Sequence, residues 1–222
     1  MFAEVAGFGR SWARLALIAL LAAAPVCAQT TAVEIARKVD QHYNQLHSLT
    51  ARFTEQFDGL GMHRTDSGTL LLEKPGKMRW DYSNTPGKVF VLDGKYAWFY
   101  APGDAQVQRI AAGQLDDLRS PLRFLLGHTK IENELVGLTL AAAPGGGWTL
   151  AGVPKGMEKR VSKLSLTVTP DGTILRILIE ELDGARTSFA FSAETANSAF
   201  PEGTFHFVAP AGVPVVDALP PV

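Results

Sequence analysis

The sequence predicts a mainly β fold with a smaller α component: one antiparallel sheet of roughly ten strands laid out as a meander. Three observations predict it. Short runs rich in Val, Ile, Thr, Phe, Tyr and Trp recur with turn residues between them. Asp-Gly pairs at Asp93-Gly94, Asp171-Gly172 and Asp183-Gly184 supply the positive φ of tight hairpins. Only two stretches carry helical spacing.

Residues 1–28 read as a cleaved secretory signal and 29–222 as a single domain. Arg10 and Arg14 form the basic flank, Leu15 to Ala24 the apolar stretch, and Val26-Cys27-Ala28 the small residues before the cut. The apolar stretch is too short to span a bilayer. Cys27 is the single cysteine and leaves with the signal, so disulfides and thiol chemistry are not expected. The remaining 19 basic and 21 acidic residues give a net charge near −2, which argues against nucleic acid as a partner.

The first mature element is a helix from Ala32 to Gln45, because Ile35, Ala36, Val39, Tyr43 and Leu46 repeat at three- and four-residue steps. Strands follow at Leu49 to Phe57, Gly68 to Lys74, Met78 to Tyr82, Lys88 to Leu92, Tyr96 to Ala101 and Ala105 to Ile110. Leu115 to Leu126 interrupts them with Leu115, Leu118, Leu122, Leu125 and Leu126 at helical spacing and Pro121 placed to start or bend a turn. Gly145-Gly146-Gly147 reads as a flexible loop. Further strands are expected at Gly147 to Val153, Val161 to Val168, Ile174 to Leu182, Thr187 to Phe191 and Phe205 to Val208, and the prolines at 210, 214, 220 and 221 discourage regular structure after that.

Alternation assigns faces. Met78, Trp80 and Tyr82 project to one side of their strand, Leu70 and Leu72 share a face in the strand before, and Tyr96, Trp98 and Tyr100 share one in a later strand. A sheet so loaded must cover that face with helices or leave an apolar hollow, and two short helical segments are too little cover for about ten strands. Lys74 falls on the face of Leu70 and Leu72, where a cation wants a partner; carbonyls of Leu122 to Leu126 are the expected acceptors.

No motif of an enzyme is present: no Gly-x-Ser-x-Gly elbow, His-Glu-x-x-His helix, Cys-x-x-Cys pair or phosphate loop. His42, His47, His63, His128 and His206 are scattered, and His42 and His47, five apart and so not adjacent on a helix face, read as solvated; no metal or cofactor is expected. Glu180 and Glu181 face opposite sides of a strand and do not form an acid pair.

The order of several segments resembles the periplasmic outer-membrane lipoprotein carriers of the LolA family. They are Leu49 to Gln56, Gly68 to Trp80, Val91 to Tyr100, Ser120 to Leu126 and Phe205 to Val213. The resemblance implies an open, incomplete antiparallel β-barrel of about eleven strands, covered by the N-terminal helix and short inserted lid helices. It implies a periplasmic monomer that carries the acyl chains of lipoproteins, loaded by the inner-membrane transporter LolCDE and relieved by an outer-membrane LolB-type receptor. The expected lipid-binding residues are Leu70, Leu72, Met78, Trp80, Tyr82, Val89, Val91, Trp98, Tyr100, Leu122 and Leu125. Lys74 matches a lid-latch position that is typically arginine, whose planar fork lysine does not reproduce. A sensing module or LolB-like receptor of the same fold is the competing reading, and the receptor would require a lipidated Cys27.

Overall fold

A computed structural model describes residues 30–113, 123–127 and 130–218. The signal segment with Cys27, and Leu115, Leu118, Pro121 and Leu122 of the inserted segment, lie outside the described residues.

Helix α1, Ala32–Gln45, begins where the sequence places it because Thr31 and Glu34 form a reciprocal capping box. The chain then enters β1 (Ser48–Gly59), β2 (Met62–Glu73), β3 (Lys77–Tyr82), β4 (Val89–Asp93), β5 (Tyr96–Tyr100) and β6 (Val107–Ala111). Short helices α2 (Arg123–Leu126) and α3 (Ile131–Glu134) interrupt it. The sheet resumes as β7 (Leu135–Ala142), β8 (Trp148–Pro154), β9 (Val161–Val168), β10 (Ile174–Glu181), β11 (Arg186–Ala196) and β12 (Val215–Asp217). The twelve described strands join one open sheet in the order β12-β6-β5-β4-β3-β2-β1-β11-β10-β9-β8-β7. Each of their pairings is antiparallel except that of β12 with β6.

The three Asp-Gly hairpins form as expected, with φ of +94° at Gly94, +97° at Gly172 and +89° at Gly184. Gly145, Gly146 and Gly147 also take positive φ and turn β7 into β8. Two expectations fail near the C-terminus. Residues 205–208 are not a strand: the chain turns at 202–205 and runs on irregularly to Pro210, laid across the sheet as a strap. The short β12 then forms among prolines, since an edge strand needs donors on one side only. Its register is fixed before it starts, where Val107 N–H donates to the carbonyl of Pro214 at 2.9 Å.

The core lies on one face of the sheet, under the helices. Ile35, Ala36, Val39 and Tyr43 of α1, Phe124 and Leu125 of α2 and Ile131 of α3 pack with Leu49, Phe53, Leu70, Leu72, Trp80, Leu150, Leu164, Leu166, Ile177 and Phe191. Polar contacts fasten α1 along its length. Asp40 accepts from Ile131 N–H at the start of α3, and Lys38 Nζ donates to Pro170 O at 3.0 Å. Buried Tyr43 donates to Glu194 at 3.0 Å and accepts from Ile174 N–H at 2.9 Å. His42 joins the same carboxylate at 2.6 Å, so it is a partner in the core's polar seam rather than a solvated side chain.

Gly172 matters here beyond its turn. A Cβ at this position would lie 2.6 Å from the Lys38 carbonyl, at a φ that disfavours side chains. Gly172→Ala should therefore lift α1 from the β9–β10 hairpin and cost about 2 kcal/mol, read as a lower melting temperature. Tyr43→Phe should cost about 1–3 kcal/mol, because the buried Ile174 N–H loses its acceptor; an unchanged melting temperature would show that water replaces the hydroxyl.

Candidate functional site

Register across the hairpins decides which side chains share the covered face. Leu70 pairs with Trp80, Leu72 with Met78 and Gly68 with Tyr82, so all of these lie on one face with Lys74 beyond them. In β4 the partners of Trp80 and Met78 are Phe90 and Leu92, and in β5 these meet Phe99 and Ala97. Through β1 and β11 the same face continues with Leu49, Phe53, Phe189 and Phe191. The result is an apolar lining that curves across the sheet.

The expected lipid-binding set is thereby split. Leu70, Leu72, Met78, Trp80 and Tyr82 belong to this inner lining, and Leu125 packs onto it from α2. Val89, Val91, Trp98 and Tyr100 pair with one another and with Asp81 and Arg79 on the opposite face. There the strap supplies a second apolar layer: Phe207 stacks on Trp98 with ring centres 5.6 Å apart, and Arg79 donates to Thr204 O at 3.2 Å. Buried Val91 faces this outer layer. Sequence parity missed Phe90, Leu92 and Phe99, whose inward direction follows only from the pairing of β3 with β4.

Inside, rings pack edge to face around Trp80, with Phe53 at 4.5 Å, Phe189 at 5.7 Å and Phe191 at 6.3 Å between centroids. Trp80 is 2% exposed. Among the described residues its Nε1 is the one buried side-chain polar atom without a hydrogen-bond partner. An unpaired buried N–H costs about 1–3 kcal/mol. Trp98 shows the usual arrangement, its indole donating to Asp93 at 2.7 Å. Burial raises the Asp93 carboxyl, but that donor and the N–H groups of Tyr96 and Lys95 outweigh it, so its pKa lies below the usual value.

Beyond Trp80 the inner face becomes polar. Asp66, opposite Glu55 in the β1–β2 register, receives Lys88 at 2.8 Å, Arg64 at 3.1 Å and Asn84 at 3.2 Å. Lys88 also lies over the Tyr82 ring, 4.1 Å from its centre. Burial raises the pKa of Asp66, yet these donors reverse the shift and lower it. Burial of Glu55 raises its carboxyl above the ordinary value, and Arg64 only partly offsets this. Tyr82 is raised by burial and by the neighbouring carboxylates. Because Glu55 holds its proton more tightly folded than unfolded, its contribution to stability falls as pH rises from the ordinary glutamate range through the raised value. Glu55→Gln should melt higher than the parent at pH 8 and equally at pH 4; equal melting at both would remove the burial argument.

At the other end of the lining stands Lys74. Its Nζ donates to the Tyr43 carbonyl in the last turn of α1; Leu122, at the start of the segment expected to supply acceptors, lies outside the described residues. The lid enters through Gly127, directly after α2: a Cβ there would lie 2.5 Å from Lys74 Nζ. Burial lowers the Lys74 pKa. Lys74 thus ties the end of α1 to the sheet and leaves a side-chain-free seat for the end of α2. The φ of +73° at Gly127 favours glycine in that seat.

The neighbouring carboxylates of β10 turn to different cations. Glu180 faces Lys163 and Arg186, whereas Glu181 faces Arg160. Among the described residues no group of three His, Cys, Asp or Glu could hold a metal ion. No described helix is long and apolar enough to cross a membrane.

Residues 44–208 match the family model of the outer membrane lipoprotein carrier protein LolA. An outer-membrane lipoprotein carrier protein of Chromobacterium violaceum is 31% identical over 169 residues, covering 76% of this chain and 81% of that one. One from Bordetella avium is 30% identical over 208 residues, covering 91% and 96%. A crystal structure of an uncharacterized conserved protein from Thermus thermophilus superposes with a TM-score of 0.52 at 16% identity, covering 83% and 98% of the two chains. At that identity the likeness shows the fold.

Proposed function

The chain belongs to the LolA family of outer membrane lipoprotein carriers, and from that premise we propose that it works in the periplasm, holding acyl chains against the inner face of its sheet. Carrying lipoproteins is its function. The acyl site would comprise Leu70, Leu72, Met78, Trp80 and Tyr82 with Phe90, Leu92 and Phe99, and Leu125 would cover it together with Leu122, which lies outside the described residues. Val89, Val91, Trp98 and Tyr100, also expected from the sequence, would lie outside the site in this reading, because their register turns them to the opposite face, where Phe207 stacks on Trp98.

The observation that carries this reading is a continuous apolar face whose cover, the helices α1, α2 and α3, is separate from the strand ladder. Short helices laid on a curved sheet can leave it without breaking the strand ladder, which gives the same chain a closed and an open arrangement. Each methylene buried in the open form contributes about 0.8 kcal/mol, so ten give about 8 kcal/mol and micromolar affinity. That suffices to keep a lipoprotein soluble between membranes. With no nucleotide-binding motif in the sequence, loading and release would be driven by partners: an inner-membrane transporter of the LolCDE kind and an outer-membrane receptor of the LolB kind.

Residues 1–28 are read as the secretory signal and 29–222 as one working domain. Recovery of the protein from the envelope should give an unmodified chain starting at Gln29 with acylated proteins bound to it, both visible by mass spectrometry. A chain acylated at Cys27 would identify a membrane-anchored receptor instead. A purified chain free of lipoprotein, and unable to take one from membranes, would remove the carrier reading.

A further inference from the structure

We propose that Trp80 is a polar anchor inside the acyl site, its Nε1–H donating to the carbonyl oxygen at the head of a bound acyl chain. The inference rests on the carrier reading above and adds to it a fixed position and direction for the cargo. Within the closed protein the indole N–H is sealed among Phe53, Phe189 and Phe191 and has no acceptor among the described residues. A phenylalanine would line the hollow without that loss. Trp98, on the outer face of the same sheet, shows that an indole in this fold can be satisfied, since it has the Asp93 carboxylate.

What could satisfy Trp80 follows from the chemistry of the guest. A hydrocarbon chain offers no acceptor, and its first acceptor is the carbonyl of the ester or amide through which it is attached. Trp80 also stands at the matching place on the sheet. On one side along the same face lie Met78 and Leu72, entirely apolar and leading toward the Lys74 closure. On the other lie Tyr82, Asp66, Glu55 and Lys88, the polar cluster. An acylated cysteine presents the same sequence of hydrocarbon, carbonyl and polar head. Superimposed on the lining, the chains run toward Met78 and Leu72, the carbonyl meets the indole, and the head lies by Tyr82 and Lys88. The acceptor removes an existing unpaired donor, so the bond favours the loaded form over the empty closed one.

The test compares lipopeptides of equal chain length carrying two ester-linked chains or two ether-linked chains, bound to the full chain and to Trp80→Phe. An N-acylated peptide without glyceryl esters separates an amide carbonyl from an ester one. Wild type should prefer a carbonyl-bearing lipid over the ether by about tenfold, and Trp80→Phe should lose that preference, the ratio of its affinities for the two lipids falling to near one whatever their absolute values. Should Trp80→Phe fold poorly, benzothienylalanine at position 80 keeps the ring shape without the N–H and should give the same loss. The infrared band of a carbon-13-labelled ester should shift down on binding wild type and not on binding the isostere. A preference that persists without the N–H, or no preference in wild type, overturns the anchor. Failure of wild type to bind any of these lipids would instead overturn the carrier reading on which it depends.

Discussion

Asp66→Ala is expected to lower stability by about 3–5 kcal/mol, because it strands Lys88 in a largely buried position without its counterion. The side chains of Asp66 and Lys88 are 5% and 12% exposed, and their 2.8 Å contact is the centre of the polar end of the inner face. Removal also takes one acceptor from Arg64 and Asn84, which converge on the same carboxylate and keep their bonds to Glu55 and to Thr65. The effect has a definite pH dependence. The folded-state pKa of Asp66 is lowered, so its contribution is complete above the unfolded value, near about 4, and disappears as pH falls through the folded value. The gap between parent and variant in chemical denaturation should therefore be widest near neutrality and close in acid. Asp66→Asn should recover part of the loss, since an amide can still accept from Asn84 and Arg64. A gap that does not change with pH would mean that the cluster contributes packing rather than charge.

Lys74→Met should shift the lid toward its open arrangement and make the protein hold acyl cargo more tightly, not less. The variant deletes a charge-assisted bond to the Tyr43 carbonyl, worth about 1.5–3 kcal/mol, and keeps the apolar stem that packs by Gly127. If cargo binds only the open form, apparent affinity scales with the open fraction, so a lysine that favours closure weakens binding and its loss strengthens it by roughly ten- to a hundredfold. Release to an acceptor membrane should slow in proportion. Lys74→Arg should keep the lid closed, since a guanidinium reaches several carbonyls at once. Unchanged dissociation of a bound fluorescent lipid in Lys74→Met would show that the latch does not control the cover.

Much of this arrangement was legible residue by residue, and what was not has a common cause. The apolar spacing of α1, the Asp-Gly hairpins and the two-residue alternation of β3 are local, and each forms as the local pattern dictates. Which parity of β5 faces inward is not local. Tyr96, Trp98 and Tyr100 look like the heavier apolar face, but the register carried from Trp80 through Phe90 turns Phe99 inward and leaves those three outside. Aromatic weight misleads here because the strap gives the outer face its own cover, so both faces of β4 and β5 are apolar. The strap itself alternates like a strand at Phe205 to Val208, but its backbone pairs with no strand there. Strand β7 escaped notice for a different reason: Gly137 takes a φ of +67° and the register slips between Val136 and Thr139, which breaks the period of two. Lys74 was recognisable as an inward cation, whereas its acceptor in α1 depends on how the helix docks.

The central claim, that the inner face of the sheet is where acyl chains lie, is open to one direct measurement. Phe90 and Val91 are neighbours in β4 and face opposite sides, the first toward the lining and the second toward the strap. A photo-reactive side chain placed at each in turn, in protein loaded with a lipoprotein, should crosslink to the acyl chains from position 90 and not from position 91. Crosslinks from 91, or from both equally, would place the lipid elsewhere and contradict the account.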